Sequence, residues 1–463
     1  MRKGTTVRRA IRVTALVMAL GLGTTGCGLS AAGVRTIEGR AVADGRAWDP
    51  RILPLARFVE RARGFTFLQP VPAHFLTPAA FDRRFNRPSA VRPNHFGITT
   101  DAAGVRALGL VGHGFDDDFA ADRGGLVAVG VYTLRPASLW IRGATLDPYL
   151  KEVVVHELTH ALQRQRLGTD DRSKTSGRAA FALRTLIEGD ARRIEYEYRR
   201  QLPSTEQADI TARGKSVARS IEAQHPSLVG ALGTLGNVPY SLGNLVSQFA
   251  VLRTGDAGLN ALIEDPPATD FWDPYSVAPV PAPLPDPFAL PPSASGTVRR
   301  TTLYLVLANR IPGRSALSVV DDVRSVRYGR EGDCVDLDDA TTDVPTTERA
   351  FRAWAAQMAT GVTVSRRGTT VRLRTCDPGA DGLRDAPFNA ADTDTDPTLR
   401  LVLARHLLAG RLYRLSGAGP CMDSFIVRRI SVAEATQFLA TSSPLDPYEG
   451  LPPSVVDEAK QRC

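Results

Sequence analysis

The chain has 463 residues, more than one compact core normally holds, so we expect two folded domains with connecting segments. Its 43% hydrophobic and 23% charged content is typical of a globular protein and excludes a disordered chain. The net charge of +8 does not indicate a nucleic-acid partner, because five basic residues and no acidic one precede Cys27, and removing those five leaves +3. Composition predicts nothing about the oligomeric state.

The N-terminal segment has the layout of a bacterial export signal. Basic residues precede an apolar run from Val13 to Leu22, which is too short for a permanent membrane span. The letters "TTGC" then resemble a lipobox, which implies acylation of Cys27 and anchoring to the outer face of the cell membrane. Thr24 stands where the motif prefers leucine, so plain secretion is the alternative. We predict a signal peptide over 1–26 and a tether over 27–50.

The first predicted domain covers residues 51–275 and mixes helical with strand patterns. The segment 52–65, "ILPLARFVERARGF", has apolar residues at helical spacing. The segment 127–143, "VAVGVYTLRPASLWIRG", indicates two short strands around a proline-containing turn. A later helix over 178–202, "RAAFALRTLIEGDARRIEYEYRRQL", is ended by Pro203.

Between these segments the sequence predicts a long helix with clear ends. Asp147 suits the N-cap and Pro148 the first helical position. We expect the helix to run to about Leu167 and to stop at Gly168, since glycine is the usual residue after a helix end.

That helix contains the pattern HExxH in "VVVHELTHALQRQ". His156 and His160 are four positions apart and share one face, so both imidazoles can bind one metal ion. Glu157 lies beside them and can reach a water molecule on that metal, as a general base must. Zinc fits imidazole and carboxylate ligands. The apolar neighbours of this triplet argue against an exposed polar face.

A third ligand has to come from elsewhere in the chain. The extended motif HExxHxxGxxH is absent, since Gln163 and Arg166 occupy its later positions. Glu188, in "LIEGDARR" on the next helix, is the best candidate and would complete a His2Glu set. Asp190 lies nearer the centre of the apolar face, so it is either the alternative ligand or a group that orients a histidine.

The letters "HELTH" followed by "EGDA" resemble the gluzincin metallopeptidases and a group of bacterial envelope proteins of that class. The resemblance extends over much of the first domain, including "GVYTLRPASLWIRG" and "PYSLGNLVSQFAVLRTG". It implies that His156, His160 and Glu188 bind zinc and that Glu157 is the catalytic base. The strand beginning "GVY" would be the sheet edge beside the cleft, where a peptide substrate could pair.

The resemblance also implies a downstream residue that stabilises the oxyanion. Tyr240, in "PYSLGN", stands in the matching segment. Tyr196, Tyr198 and His225 are competitors, and packing in the core is an equally good explanation of any one tyrosine.

A proline-rich linker over 276–297 precedes a smaller α+β domain over 298–463, which has no catalytic motif. Its patterns predict a helix over 347–358, a hairpin over 361–376 and a helix over 397–415. An exported chain is exposed to oxidising conditions, so two disulfides are expected. The four cysteines allow three pairings. We favour the one that joins Cys334 to Cys376 and Cys421 to Cys463.

Together these patterns predict an α+β protein whose first domain is zincin-like, with an edge strand, an HExxH helix and a glutamate-bearing helix. The expected function is zinc-dependent hydrolysis of peptide bonds, by an endopeptidase anchored through lipid and acting on a peptide or protein substrate. The alternative is a non-catalytic envelope lipoprotein whose metal site is structural or vestigial, closed by four protein ligands.

Overall fold

The computed structural model describes most of the chain from Ala47 onward. The described residues are 47–85, 102–112, 128–169, 177–224, 231–274, 288, 296–358, 361–379, 382–383, 402, 405–410, 412, 420–430, 434, 437–438 and 451–463. The predicted signal peptide, Cys27, most of the tether, most of the proline-rich linker and His225 lie outside them. Within this part of the chain, no helix is both long enough and apolar enough to cross a membrane.

The architecture is mixed α and β, as predicted. The first half contains α1 (Leu53–Arg63), β1 (Ala73–Leu76), α2 (Pro78–Phe85), α3 (Ala102–Ala107), β2 (Gly130–Leu134), β3 (Ala137–Arg142), α4 (Pro148–Leu167), α5 (Gly177–Arg200), α6 (Ser204–Gln224) and α7 (Ala231–Glu264). The second half contains β4 (Gly296–Val298), α8 (Arg300–Ala308), α9 (Gly313–Asp322), β5 (Val323–Glu331), β6 (Cys334–Thr341), α10 (Val344–Ala355), β7 (Val362–Arg367), β8 (Thr370–Cys376), α11 (Pro420–Arg429) and α12 (Pro453–Arg462).

Helix α4, which carries HExxH, has the predicted ends. The Asp147 carboxylate accepts a hydrogen bond from the Leu150 backbone N–H at 2.7 Å, which satisfies one of the free donors of the first turn. Gly168 follows the last helical residue with φ of 62°, a conformation that favours glycine, and its N–H donates to the Arg164 carbonyl. These two caps fix which residues are helical and hence which share a face.

A three-stranded sheet covers one side of α4. Its order is β1-β3-β2, with β1 parallel and β2 antiparallel to β3, so β2 is an edge strand as predicted for "GVY". Leu139 and Ile141 pack with Leu158 of α4 in one buried cluster. Strand β2 lies so close to the helix that a Cβ on Gly130 would sit 2.8 Å from Val153 Cγ1. A larger residue at position 130 would therefore force Val153 or the strand to shift.

Helices α5 and α7 pack with their backbones in contact. A Cβ added to Gly189 would overlap the Gly243 carbonyl, and one added to Gly243 would overlap the Thr185 carbonyl. Helix α7 is then interrupted at Gly255, whose φ is 68° and whose backbone is not helical. This contact places the helix of "LIEGDA" against the helix of "PYSLGN".

The C-terminal part has the predicted hairpin and both favoured disulfides. A five-stranded antiparallel sheet has the order β4-β5-β6-β8-β7, and β7 pairs with β8 over the predicted hairpin. The first predicted helix is α10, while residues 405–410 of the later one are helical. The disulfides join Cys334 to Cys376 and Cys421 to Cys463, which confirms the favoured pairing.

The halves predicted on either side of residues 276–297 share one hydrophobic core. A single buried cluster contains Leu186 and Leu242 of the first half together with Leu303 and Phe351 of the second. Residues 102–112 bind the second half as well: the Arg106 guanidinium donates two hydrogen bonds to Asp377, at 2.8 and 2.6 Å. The helices that carry the candidate site are thus supported from both halves of the chain.

One residue near the end of the predicted tether also contacts the fold. Trp48, placed in the tether by the sequence, packs against Phe67 with ring centroids 5.1 Å apart. It belongs to the partly buried residues around the cluster that contains Leu158. A large aromatic side chain stabilises a fold by such burial, so the core recruits residues before position 51.

Candidate metal centre

Three side chains from α4 and α5 converge on one point and could hold a metal ion. They are His156, His160 and Glu188, whose nearest ligand atoms all lie within 4.8 Å of one another. The two Nε2 atoms of the histidines are 3.0 Å apart. Glu188 Oε2 lies 3.4 Å from Nε2 of His156 and 3.2 Å from Nε2 of His160. The side chains of His156 and Glu188 are buried, and that of His160 is 11% exposed.

The opposite nitrogens of both histidines face acceptors. His156 Nδ1 lies 3.1 Å from Glu195 Oε2, and His160 Nδ1 lies 3.0 Å from Gln163 Oε1. The Gln163 amide orientation is fixed, because its Nε2 donates to Asp190 Oδ2 at 2.9 Å and to the Ile187 carbonyl at 3.1 Å. In the neutral form of each histidine these acceptors place the proton on Nδ1, which leaves the Nε2 lone pair facing the point where the three side chains converge.

Positive charge, from a proton or from a metal ion, stabilises such a group. Two imidazole nitrogens and a carboxylate oxygen lie 3.0–3.4 Å from one another in a buried position, where they would repel one another without a proton or a metal ion between them. Glu188 Oε2 is buried and faces the Nε2 atoms of both histidines. A buried carboxylate needs a cationic partner, and a metal ion bound by the three atoms would supply one. The donor set therefore fits a metal ion.

The electrostatics of the group also favour positive charge at the Nε2 atoms. Burial lowers the pKa of His156, but its interactions with Glu188 and Glu195 outweigh burial and raise that pKa to about 10. Burial raises the pKa of Glu188, and the charge of His160 and contacts with both histidines more than reverse this, so the pKa is lowered. For Glu195, burial is outweighed by Arg192 and His156, which lower the pKa to about 2.

Glu157 lies between the histidines and the edge strand. Its carboxylate is fully buried, and Oε2 accepts a hydrogen bond from the Tyr132 backbone N–H of β2 at 2.8 Å. Burial raises the pKa of Glu157, while the nearby His156 and His160 oppose the shift. One carboxylate thus joins the outer edge of the sheet to the histidine-bearing helix.

Of the two candidate third ligands, Glu188 faces the histidines and Asp190 does not. Asp190 is buried two hydrogen bonds away from the group, where Gln163 connects it to His160. Its carboxylate also pairs with Arg63 Nε at 2.9 Å and with Arg193 at 3.0 Å. The predicted alternative role of Asp190, orienting a histidine, is the one that this arrangement supports.

The predicted tyrosines differ in their distance from the group. The Tyr240 ring is buried and lies 6.2 Å, centroid to centroid, from the His156 ring at an interplanar angle of 26°. Tyr198 packs instead against Phe58, and Tyr196 lies beside the guanidinium group of Arg192. Among these three tyrosines, Tyr240 is therefore the one whose ring stacks beside a histidine of the group.

Sequence reasoning did not identify the partners of the two Nδ1 atoms. Glu195 follows Glu188 by seven residues and so shares its helix face, which is a signal that the sequence contained. Gln163 follows His160 by three residues on the same helix, and this spacing places the two side chains on one face. The residues around Arg63 did not indicate its role, because its partner Asp190 lies far from it along the chain.

Comparison of the chain with protein-family models, with curated proteins and with solved structures found no match.

Proposed function

We propose that the protein is a zinc-dependent peptidase and that His156, His160 and Glu188 are the metal ligands. The observation that carries this proposal is the convergence of three lone-pair atoms, with Glu157 beside them at the sheet edge. The proposed family, a gluzincin-type metallopeptidase with a zincin-like first domain, rests on the sequence motifs. Export, the lipid anchor at Cys27 and the location outside the cell membrane are proposals from the N-terminal sequence.

Zinc fits this donor set in chemistry and in size. Zinc lies about 2.0–2.2 Å from histidine and carboxylate ligands, and tetrahedral ligands at that distance lie roughly 3.3–3.6 Å from one another. The three separations here are 3.0, 3.2 and 3.4 Å. A set of three ligands also leaves a fourth position open, as catalytic zinc sites require.

When bound, zinc lowers the pKa of coordinated water and polarises a substrate carbonyl. The residues of the chain supply the rest of the chemistry. Glu157 takes a proton from the attacking water and delivers it to the leaving amine. The Tyr132 backbone N–H holds one oxygen of Glu157, which fixes the direction in which the carboxylate points. Tyr240 stabilises the developing negative charge on the substrate oxygen.

The depth of the site favours a second candidate function. His156 and Glu157 are fully buried and Glu188 is 1% exposed, so the group resembles the enclosed surroundings of a structural metal. A closed site would use Glu157 as a fourth ligand and would hold α4 against α5 without catalysis. The protein would then be a non-catalytic envelope lipoprotein.

Removal and return of metal test the proposal directly. We expect the purified protein to contain about one zinc ion per chain and to cleave a quenched fluorescent casein. Dialysis against dipicolinate should abolish cleavage, and one equivalent of zinc, but not magnesium, should restore it, because the donors are imidazole and carboxylate groups. Zinc content by plasma mass spectrometry and the rate of casein cleavage are measured on the same samples.

The outcomes separate the two candidate functions. Bound zinc without cleavage of casein or of a mixed peptide library supports the structural site, especially if zinc removal lowers the unfolding temperature. A protein that contains no zinc and takes up none from buffered solution contradicts both candidates.

We expect Tyr240→Phe to lower peptide hydrolysis less than removal of the metal does. If the phenol group stabilises the oxyanion, its removal should lower kcat by about 10- to 100-fold and leave zinc content and KM near wild type. Tyr198→Phe is the matched control, because that ring packs against Phe58, away from the histidines. Equal kcat values for the two variants would assign Tyr240 to packing alone.

A further inference from the structure

We propose that Gln163, Asp190 and Arg63 form a positioning relay that holds His160 in the orientation that metal binding needs. None of the three touches the point where the ligand atoms converge, so they act through His160. The inference rests on the metal-binding part of the proposed function and does not depend on peptide hydrolysis.

The inner half of the relay is a buried amide. Gln163 is 2% exposed, and its Oε1 lies 3.0 Å from His160 Nδ1. This oxygen can therefore accept a hydrogen bond from the imidazole N–H. The Nε2 atom of Gln163 donates to Asp190 Oδ2 at 2.9 Å and to the Ile187 carbonyl at 3.1 Å. Because both partners of Nε2 are acceptors, the amide cannot flip without losing both of these hydrogen bonds. The tautomer of His160 is thereby fixed with the Nε2 lone pair toward Glu188.

The outer half is a buried ion pair. Arg63 Nε lies 2.9 Å from Asp190 Oδ2, and the two side chains are 1% and 0% exposed. Arg193, one turn along α5 from Asp190, supplies a second guanidinium at 3.0 Å. A buried carboxylate is retained only with such partners, so Asp190 can hold Gln163 only while Arg63 and Arg193 compensate its charge.

Arg63 in turn ties the relay to two other helices. It belongs to α1, and its remaining nitrogens donate to Asp256 at 2.8 Å and to Asn260 at 2.6 Å. Asp256 directly follows the break in α7 at Gly255, where the chain begins a new helical segment. The guanidinium fork thus fixes Asp190 relative to α1 and to the second part of α7.

The two histidines are held by chemically different partners. His156 has a carboxylate, Glu195, whereas His160 has a neutral amide backed by a charge-compensated aspartate. A carboxylate partner makes an imidazole a stronger donor to metal, and a neutral amide mainly orients it. The relay therefore predicts an effect on the geometry at His160 and on metal affinity.

Metal titration and cobalt spectroscopy on the full chain test the relay. Gln163→Met keeps side-chain length and removes the hydrogen bonds, and Asp190→Asn removes the charge. For each variant we expect the zinc dissociation constant, measured with a competing chromophoric chelator, to rise about 10- to 100-fold. We also expect the visible absorption bands of the cobalt(II) form to shift, since they report ligand geometry.

A matched variant separates the relay from general loss of stability. Asp338→Asn breaks another buried pair, in which Arg372 donates to Asp338 at 2.6 Å on both oxygens, in the five-stranded sheet. It should lower the unfolding midpoint without moving the cobalt bands or the zinc affinity. Arg63→Lys, which keeps the charge that Asp190 needs, should retain more affinity than Arg63→Met.

The possible results have distinct meanings. If the wild type binds zinc or cobalt and Gln163→Met or Asp190→Asn shows unchanged affinity and spectrum, the relay is overturned and the metal site stands. If the wild type binds neither metal, the relay and the proposed function both fail. If Gln163→Met does not fold, Asp190→Asn decides by the same two measurements.

Discussion

Replacing Glu157 with glutamine should abolish peptide hydrolysis and leave the metal bound. Glutamine has the same shape, and its Oε1 can still accept the hydrogen bond that the Tyr132 N–H donates to Glu157 at 2.8 Å. It cannot accept a proton from water at neutral pH, so the general-base step is lost. Proton transfer by a positioned side chain contributes about 10²- to 10⁴-fold, and we expect kcat/KM to fall by about that factor.

A second glutamate of α4 provides the control for this substitution. Glu152 is buried on the same helix and pairs with Arg199 Nε at 2.5 Å rather than with the metal ligands. Glu152→Gln should therefore lower stability and change kcat/KM by no more than a few-fold. The measurements are the rate of casein cleavage and the zinc content of each variant.

The same pair of variants discriminates between the two candidate functions. Equal hydrolysis by wild type and Glu157→Gln would refute the role of Glu157 as base. Loss of zinc in Glu157→Gln, with zinc retained in Glu152→Gln, would identify Glu157 as a fourth ligand. Four protein ligands define a closed structural site, so that result would favour the non-catalytic function.

The parts of the site that the sequence predicted are those fixed by one helix. Asp147 and Gly168 cap α4, and with both ends set the spacing of His156 and His160 places them on one face. The same rule brings Glu188 and Glu195 to one face of α5. Local rules of this kind depend only on neighbouring residues, so they can be applied before the fold is known.

The choice between Glu188 and Asp190 could not be made in this way. Both carboxylates lie close to the apolar face of α5, and a helical wheel gives directions but no distances between helices. The structure separates them because Asp190 meets Arg63, which α1 brings from 127 positions earlier in the chain. A buried arginine competes for one carboxylate and leaves the other for the histidines.

The contact between α5 and α7 also lies outside the reach of local patterns. Gly189 in "LIEGDA" and Gly243 in "PYSLGN" look like ordinary helix-weakening residues in the sequence. In the fold each leaves room for a carbonyl of the facing helix, which a Cβ would overlap. Because Gly189 directly follows Glu188, this close approach sets how far the third ligand projects toward His156 and His160.

Gly243→Ala is therefore expected to destabilise the protein and to weaken metal binding together. In an open helical position alanine would add up to about 1 kcal/mol of stability relative to glycine. At Gly243 the added Cβ would overlap the Thr185 carbonyl, and such overpacking costs about 1–3 kcal/mol, so we expect a net loss in the free energy of unfolding.

The matched control is Gly236→Ala on the same helix, since nothing lies within 4 Å of a Cβ at Gly236. Urea denaturation should show Gly236→Ala as stable as wild type or more stable, and Gly243→Ala less stable. The zinc dissociation constant should rise only for Gly243→Ala, because moving α7 away from α5 shifts Glu188. Equal stability and equal zinc affinity of the two variants would show that the backbone contact does not set the position of the third ligand.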